Sequence, residues 1–542
     1  MDRREIIKRL SAAPFVGAMY PLESVFASET QQRAASATAQ NIYQKIGIEP
    51  VINCRGTFTI IGGSVERPEV VEAMHQASGY FVQYDELAFG VGQRLADLTG
   101  AEWGMVSAGC AAGMKHVTAA CVTGGNPERL VRIPDLTGFE KTEVVIPRRS
   151  RNVYDHAIRN IGVTIVTVDT PEELENALTS KTAMIYIISN ANARAEDPFS
   201  LEQLSRMAKP LNIPILVDAA AEDLTWKPNL YLQKGATVVA YSGGKALCGP
   251  QCAGLLLGKK DILMSAWQAS SPHHGPGRDN KVGKEEMMGM VAAVEAWINR
   301  DHAEKERTWL RWLDNISKRL STINGVTCTI TEPRGLDNRS ARFSASWDPQ
   351  VFNITGTDIA EEFATTKPRI AIGGSYIDNN GRTGISISTG QMQPGEDMIV
   401  ANRLYEVLTR KNEKPKGMEA AIPKLSGRWD VDIDFYSSKG HHSFTIEQDG
   451  NFISGWHRGD FTTREMYGIV DGNKIKLASS ERRTANNVPF TFHGTATNDK
   501  MEGGIYMGEY IRATFTATRY TAPANPALNR PIVVPQGQPL SS

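Results

Sequence analysis

Between Val51 and Gly258 short β-branched apolar runs alternate with segments whose apolar residues recur at helical spacing. The runs are "TEVVIP", "VTIVTV", "TAMIYIIS", "IPILVD" and "ATVVAYS"; the intervening "PEELENALTS" and "SLEQLSRMAKPL" are helical in period. Strands without a polar face must be covered on both sides, so this pattern predicts a mostly parallel sheet between layers of helix. A ligand in such a sheet sits outside the carboxyl ends of the strands. At 542 residues the chain is also too long for one core.

After Leu425 the period changes from helical to two. "WDVDIDFY", "HSFTIEQ", "NFISGWH", "MYGIVD", "KIKLASS", "FTFHGTATN", "MEGGIYM" and "RATFTATRY" alternate apolar with polar residues. Turn pairs such as Asp449-Gly450 separate them. Short antiparallel strands of regular spacing predict a small lipocalin-like up-and-down β-barrel. Glu509 and Trp456 are its only residues to inspect for function, because it carries no evident ligand constellation.

The expected order is a signal peptide over residues 1–27, a linker over 28–45, a large α/β domain over 46–300 and a small α/β domain over 301–412. A second linker follows over 413–424, then the barrel over 425–520 and a proline-rich tail over 521–542. Arg3-Arg4 before a modest apolar stretch, with Val25-Phe26-Ala27 as a small-residue cleavage site, resembles a twin-arginine export signal. It predicts a periplasmic or exported protein, and the pathway carries folded cargo. No run in the body of the chain is long enough to span a membrane. A formal net charge of −1 removes the electrostatic case for nucleic-acid binding. Six scattered cysteines suggest neither a disulfide framework nor zinc, and His273-His274 lack further ligands at sensible spacing, so no metal is expected.

Three features of the α/β region carry chemistry. In "VSAGCAAGMKHV" a run of small residues precedes a helix whose first amides are open to an anion. In "IPILVDAAAEDL" Asp218 ends a buried strand, where a carboxylate needs a cationic partner. In "YSGGKALCGPQCAGLLLG" Lys245 follows two glycines and precedes an apolar run. One molecule accounts for all three. Pyridoxal 5′-phosphate would place its phosphate on the helix, its ring nitrogen on Asp218 and its aldehyde on Lys245 as a Schiff base.

From about Ile46 to Lys411 the chain resembles the fold-type I pyridoxal phosphate enzymes. The resemblance is to the selenocysteine synthase-like group that includes D-glucosaminate-6-phosphate ammonia-lyase. It rests on "VINCRGTFTIIGGS", "AFGVGQRLADLTGAEWGMVSAGCAAG", "VDAAAE", "SGGKALCGPQCAGLLLG" and "GRDNKVGKEEMMG". It implies that Lys245 is the Schiff-base lysine and Asp218 keeps the pyridine protonated. Ser107, Ala108, Gly109 and Cys110 would cradle the phosphate through their amides, and Ser242 would add a hydroxyl. His156 or Tyr154 would pack on the ring, or Arg149 would face the substrate. Arg369 resembles a small-domain arginine that grips a substrate carboxylate. Arg278 and Lys281 lie in a loop that in this group approaches the neighbouring subunit's site, and a homodimer or larger assembly is implied.

The expected reaction is an α,β-elimination by an ammonia-lyase or dehydratase on a hydroxyamino acid or amino sugar acid. Racemase, aldolase and aminotransferase outcomes share its first step. Selenium transfer to a charged tRNA is disfavoured, since the chain has no basic excess. A reading from another class is an exported sugar-binding protein whose core is degenerate, against which both Lys245 and Asp218 stand.

Overall fold

The computed structural model describes residues 41–189, 197–375, 377–414, 416–480 and 488–521. The signal-like N-terminus and nearly all of the proline-rich tail lie outside the described residues. Seven strands form the large sheet: β1 (Trp103–Ser107), β2 (Glu143–Pro147), β3 (Thr164–Val168), β4 (Thr182–Ile188), β5 (Ile215–Asp218), β6 (Val238–Ser242) and β7 (Gly254–Gly258). Their order is β1-β7-β6-β5-β4-β2-β3. The five strands from β2 to β6 are parallel to their neighbours, whereas β7 runs antiparallel to both β6 and β1.

Every residue of β5 and β7 is buried, as expected of strands covered on both faces. The five runs named in the sequence are β2 to β6. The two strands that periodicity left unassigned, "WGMVS" and "GLLLG", are the antiparallel edge of the sheet and its neighbour. Glycine at the ends of β7 depresses strand propensity, so only tertiary pairing declares it.

Helix α1 (Cys110–Thr123) follows β1 and is buried along almost its whole length. The stretch after the Arg278 loop forms two helices, α2 (Lys284–Asn299) and α3 (His302–Leu320). Arg300 is extended, and Asp301 caps α3 by accepting the Glu304 N–H, which breaks the run.

A second core gathers Trp309 and Leu313 of α3 with Phe343, Trp347, Ile385 and the helix α4 (Glu396–Thr409). Four strands between Thr327 and Ser388 cover it. Val51–Asn53 pairs in parallel with Arg369–Ala371, and Cys54 belongs to this second core. The N-terminal stretch therefore crosses from one core to the other before the first large-domain helix.

The C-terminal unit is a closed barrel of eight antiparallel strands between Gly427 and Arg519 with its own apolar core. All eight alternating segments of the sequence are its strands. One end of its interior is polar. Ser479 Oγ lies 2.7 Å from His457 Nδ1, His457 Nε2 lies 2.9 Å from His442 Nδ1, and His442 Nε2 lies 3.6 Å from Asp460. His457 is pushed down to about 3, first by burial and then by the neighbouring His442 and Arg464.

A histidine held neutral below its ordinary value of about 6.5 contributes stability that is whole above that pH and is lost as pH falls toward the folded value. Barrel stability is therefore expected to decline from about pH 6.5 downward, by up to about 1.4 kcal/mol per pH unit for one such group. Exchange of the Trp429 indole N–H, which donates to Leu425 O inside the barrel, reads this in the intact chain. After correction for intrinsic rate it should quicken between pH 7.5 and pH 5. Equal protection at both values would contradict the assignment.

Candidate active site

Lys245 lies in the turn that leaves β6, and the two glycines before it are dictated by packing. A Cβ on Gly243 would stand 2.8 Å from Ala253 O and 2.9 Å from Met290 Sδ. One on Gly244 would stand 2.5 Å from the Gln251 Cα. The turn folds tightly on itself, with Gly243 N–H donating to Ala253 O, Gly249 N–H to Gly243 O and Cys248 N–H to Lys245 O. A lysine that follows such a turn has its backbone fixed, and only its four-carbon stem is left to move.

Asp218 ends β5 beside it and is 8% exposed. Burial pushes its carboxyl above the ordinary range, and the groups around it push back: the Ala220 N–H, the Tyr186 hydroxyl, the Lys245 charge and the Cys110 thiol. Ala220 N–H donates to Oδ1 at 3.0 Å and Tyr186 Oη to Oδ2 at 2.9 Å. Cys110 Sγ lies 3.9 Å from Oδ1, and its thiol is held protonated by burial and by that carboxylate. Asp218 pairs with Ala240 of β6, the strand whose following turn carries Lys245, and the lysine charge favours the Asp218 carboxylate.

Cys110 is also the first residue of α1. Gly109 caps that helix at φ +85°, a conformation that suits glycine, and contributes no side-chain cap. The first internal bond of the helix is Gly113 N–H to Gly109 O, which leaves the amides of Cys110, Ala111 and Ala112 ahead of it. Gly254 of β7 lets the turn approach, since a Cβ there would stand 2.6 Å from Cys110 N.

The expected phosphate cradle is Ser107, Ala108, Gly109 and Cys110, and parts of that turn are already hydrogen-bonded within it. Gly109 N–H is engaged by Ser107 O, and Ser107 Oγ, fully buried, donates to Gly109 O. Ser107 and Ala108 thus shape the turn, and Cys110 leads the open amides.

The other expected residues are distributed more widely. Ser242 is half-buried at the end of β6, three positions before the lysine. His156 is exposed and shares a hydrogen bond with Asn160. It lines a groove of about 330 Å³ with Ala111, Ala112, Lys115, Tyr154 and Asp279. Arg149 is paired with Asp197 at 2.6 Å and also donates to Phe199 O. Arg369 donates to Ala364 O at the end of a neighbouring helix and feels Glu49. Arg278 reaches Ser271 Oγ at 3.4 Å.

Lys115, which the sequence did not single out, binds Asp279 and Asn280 at 2.8 and 2.9 Å and so ties the Arg278 loop to α1. Tyr186 was also missed, although a hydroxyl inside a buried strand needs a partner and so carries a signal. Among the described residues no cluster of three or more potential metal ligands is present.

The residues fit pyridoxal 5′-phosphate. Open amides at the head of a 14-residue helix suit a phosphate, and Gly254 keeps that approach clear. Three donors leave lone-pair capacity on the Asp218 carboxylate for a protonated ring nitrogen, and Lys245 supplies the amine.

No family model matches the chain. It is similar to D-glucosaminate-6-phosphate ammonia lyase of Salmonella typhimurium, at 32% identity over 303 residues, covering 54% of this chain and 78% of that one. It is similar also to 5′-C-glycyluridine monooxygenase-decarboxylase of a Streptomyces species, at 28% identity over 411 residues, covering 74% of this chain and 99% of the relative. A solved structure of D-glucosaminate-6-phosphate ammonia-lyase superposes with a TM-score of 0.60 at 28% identity, covering 68% of this chain and 99% of its own.

Fold and site thus define a fold-type I pyridoxal phosphate-dependent enzyme. Within that class the chain belongs to the family of D-glucosaminate-6-phosphate ammonia-lyase.

The packing of the lysine turn is directly testable. Gly244→Ala must displace backbone, so it is expected to destabilise the fold by about 1–3 kcal/mol and to move Lys245. Calorimetry should show the loss in Tm, and borohydride trapping of added cofactor on the lysine should fall. An unchanged Tm would show the turn to be looser than described.

Proposed function

We propose that the protein is a pyridoxal phosphate-dependent lyase. It removes the elements of water from a hydroxyamino acid or amino sugar acid by α,β-elimination and releases a 2-oxo acid and ammonia. The observation that carries this is the buried Asp218 at the end of β5, with Cys110 of the head of α1 at 3.9 Å and with β6, the strand that leads to Lys245, paired beside it. The similarity to an ammonia-lyase at 32% identity supports the choice of reaction.

When bound, pyridoxal 5′-phosphate supplies an aldehyde that links to amines and a ring that accepts electrons from the α-carbon. The roles of the chain follow. With the cofactor bound, amides of Cys110, Ala111 and Ala112 would hold the phosphate and Ser242 would add its hydroxyl. Asp218 would face the ring nitrogen and keep a proton there. Lys245 Nζ would hold the aldehyde and, as a neutral amine, would take the Cα proton and deliver it to the hydroxyl leaving Cβ. The released enamine takes up water and loses ammonia, so the substrate ends as a 2-oxo acid.

Arg278 is the preferred partner for the substrate carboxylate, because its one described hydrogen bond is long, whereas Arg149 and Arg369 are already engaged. His156 lines a groove with Ala111 and Ala112 of α1, which supports a role for it at the cofactor ring or the substrate.

A second reading takes its support from the 411-residue match: an oxygen-consuming decarboxylation of the kind named for the Streptomyces relative. Tyr80 and Phe81, both exposed between the helices Pro68–Ser78 and Tyr84–Thr99, support a homodimer. The Arg3-Arg4 start supports export, which N-terminal sequencing of the protein recovered from outside the cytoplasm tests. Cleavage is expected after Ala27, and an intact Met1 on exported protein would refute it.

The reaction is tested with a panel of D- and L-hydroxyamino acids and amino sugar acids. Ammonia and 2-oxo acid should appear in equal amounts, with loss of at least about a thousandfold in Lys245→Ala, whose base is gone. Deuterium exchange at Cα without ammonia would identify a racemase. Oxygen uptake with carbon dioxide release would establish the second reading.

A further inference from the structure

We infer that Tyr186, oriented by Asn152, is a positioning residue that keeps the proton of the Asp218–cofactor pair on the ring nitrogen. This rests on the functional reading above and concerns a residue that reading does not use.

The direction of each hydrogen bond in the chain is fixed by its neighbours. Tyr154 N–H donates to Asn152 Oδ1 at 2.7 Å, which settles which end of the amide is oxygen. Asn152 Nδ2 is therefore the atom that faces Ser150 O and Tyr186 Oη, each at 3.0 Å, and it donates to both. An oxygen that already accepts from Asn152 is left with its own proton to give, and Asp218 Oδ2 at 2.9 Å receives it. Burial and the adjacent carboxylate raise the Tyr186 phenol far above its ordinary value, so it remains a donor throughout the working range.

The need for such a donor comes from Asp218 itself. Buried as it is, the carboxyl drifts toward its neutral form, and a neutral acid would leave the pyridine unprotonated. Lys245 opposes the drift only while it carries charge, and a lysine that acts as base is uncharged. The donors that persist through the whole cycle are Ala220 N–H, Tyr186 O–H and, more weakly, the Cys110 thiol. Of these, Tyr186 alone is on Oδ2.

The test uses the full-length protein loaded with cofactor labelled with 15N in its ring. The wild type should show the shift of a protonated pyridine. Tyr186→Phe keeps the ring and its packing and should move that shift toward the unprotonated value, with cofactor affinity weakened about tenfold or more. Asn152→Ala should move it the same way by less, since the tyrosine hydroxyl remains. A Tyr186→Phe protein with the wild-type 15N shift, even with lowered Tm, would reduce the tyrosine to a packing role and overturn the inference. Should that variant fail to fold, an unmoved shift in Asn152→Ala overturns it equally. A wild type in which borohydride marks no lysine refutes the functional reading instead.

Discussion

A carboxylate at the end of a buried strand is the constraint on which the site depends. Asp218 cannot remain ionised there without support, and the fold draws three donors and one charge from four separate elements: Ala220 from the turn after β5, Tyr186 from β4, Cys110 from the head of α1 and the charge of Lys245 from the turn after β6. Each element reaches the carboxylate only because the parallel strands end on the same side of the sheet, with α1 laid across them. The sheet order places β5 between β4 and β6, so the acid is flanked by the strand bearing the tyrosine and the strand leading to the lysine.

Glycine sets how closely the pieces approach. Gly243 and Gly244 bring the lysine turn against Ala253, Met290 and Gln251, and Gly254 brings the turn before α1 against β7. Apart from the Met290 sulfur, these contacts involve backbone atoms, which cannot swing aside as a side chain can. The Gly-Gly-Lys order is therefore a packing requirement as much as a chemical one. Loop 278–281 is held by the buried Lys115, which brings Arg278 near α1 without a strand or helix of its own.

The barrel is organised by different rules. Its core is separate from the two that surround the site, and its polar end is a run of histidines rather than a pocket of open donors. Strand alternation of period two defines it almost completely, because each antiparallel strand presents one face to the interior and one to solvent. That is why all eight strands were legible, while in the large sheet β1 and β7 were not. "GLLLG" has no alternation to betray a strand, and β1 lies inside a segment that reads as the approach to a helix.

The sequence by itself determined the fold class and the barrel and singled out Lys245 and Asp218, because each leaves a local mark: strands buried on both faces, a period of two, a lysine behind two glycines, an acid closing an apolar run. Only the tertiary structure decided which amides stand open at α1, that Arg149 and Arg369 are engaged elsewhere, and that Tyr186 and Asn152 serve Asp218. Those facts are distances between atoms far apart in the chain. Tyr186 and Asp218 are 32 residues apart and Cys110 and Asp218 are 108, so no periodicity records their meeting. Local pattern fixes what an element is, whereas the partners of a polar atom are fixed by which elements the sheet brings together.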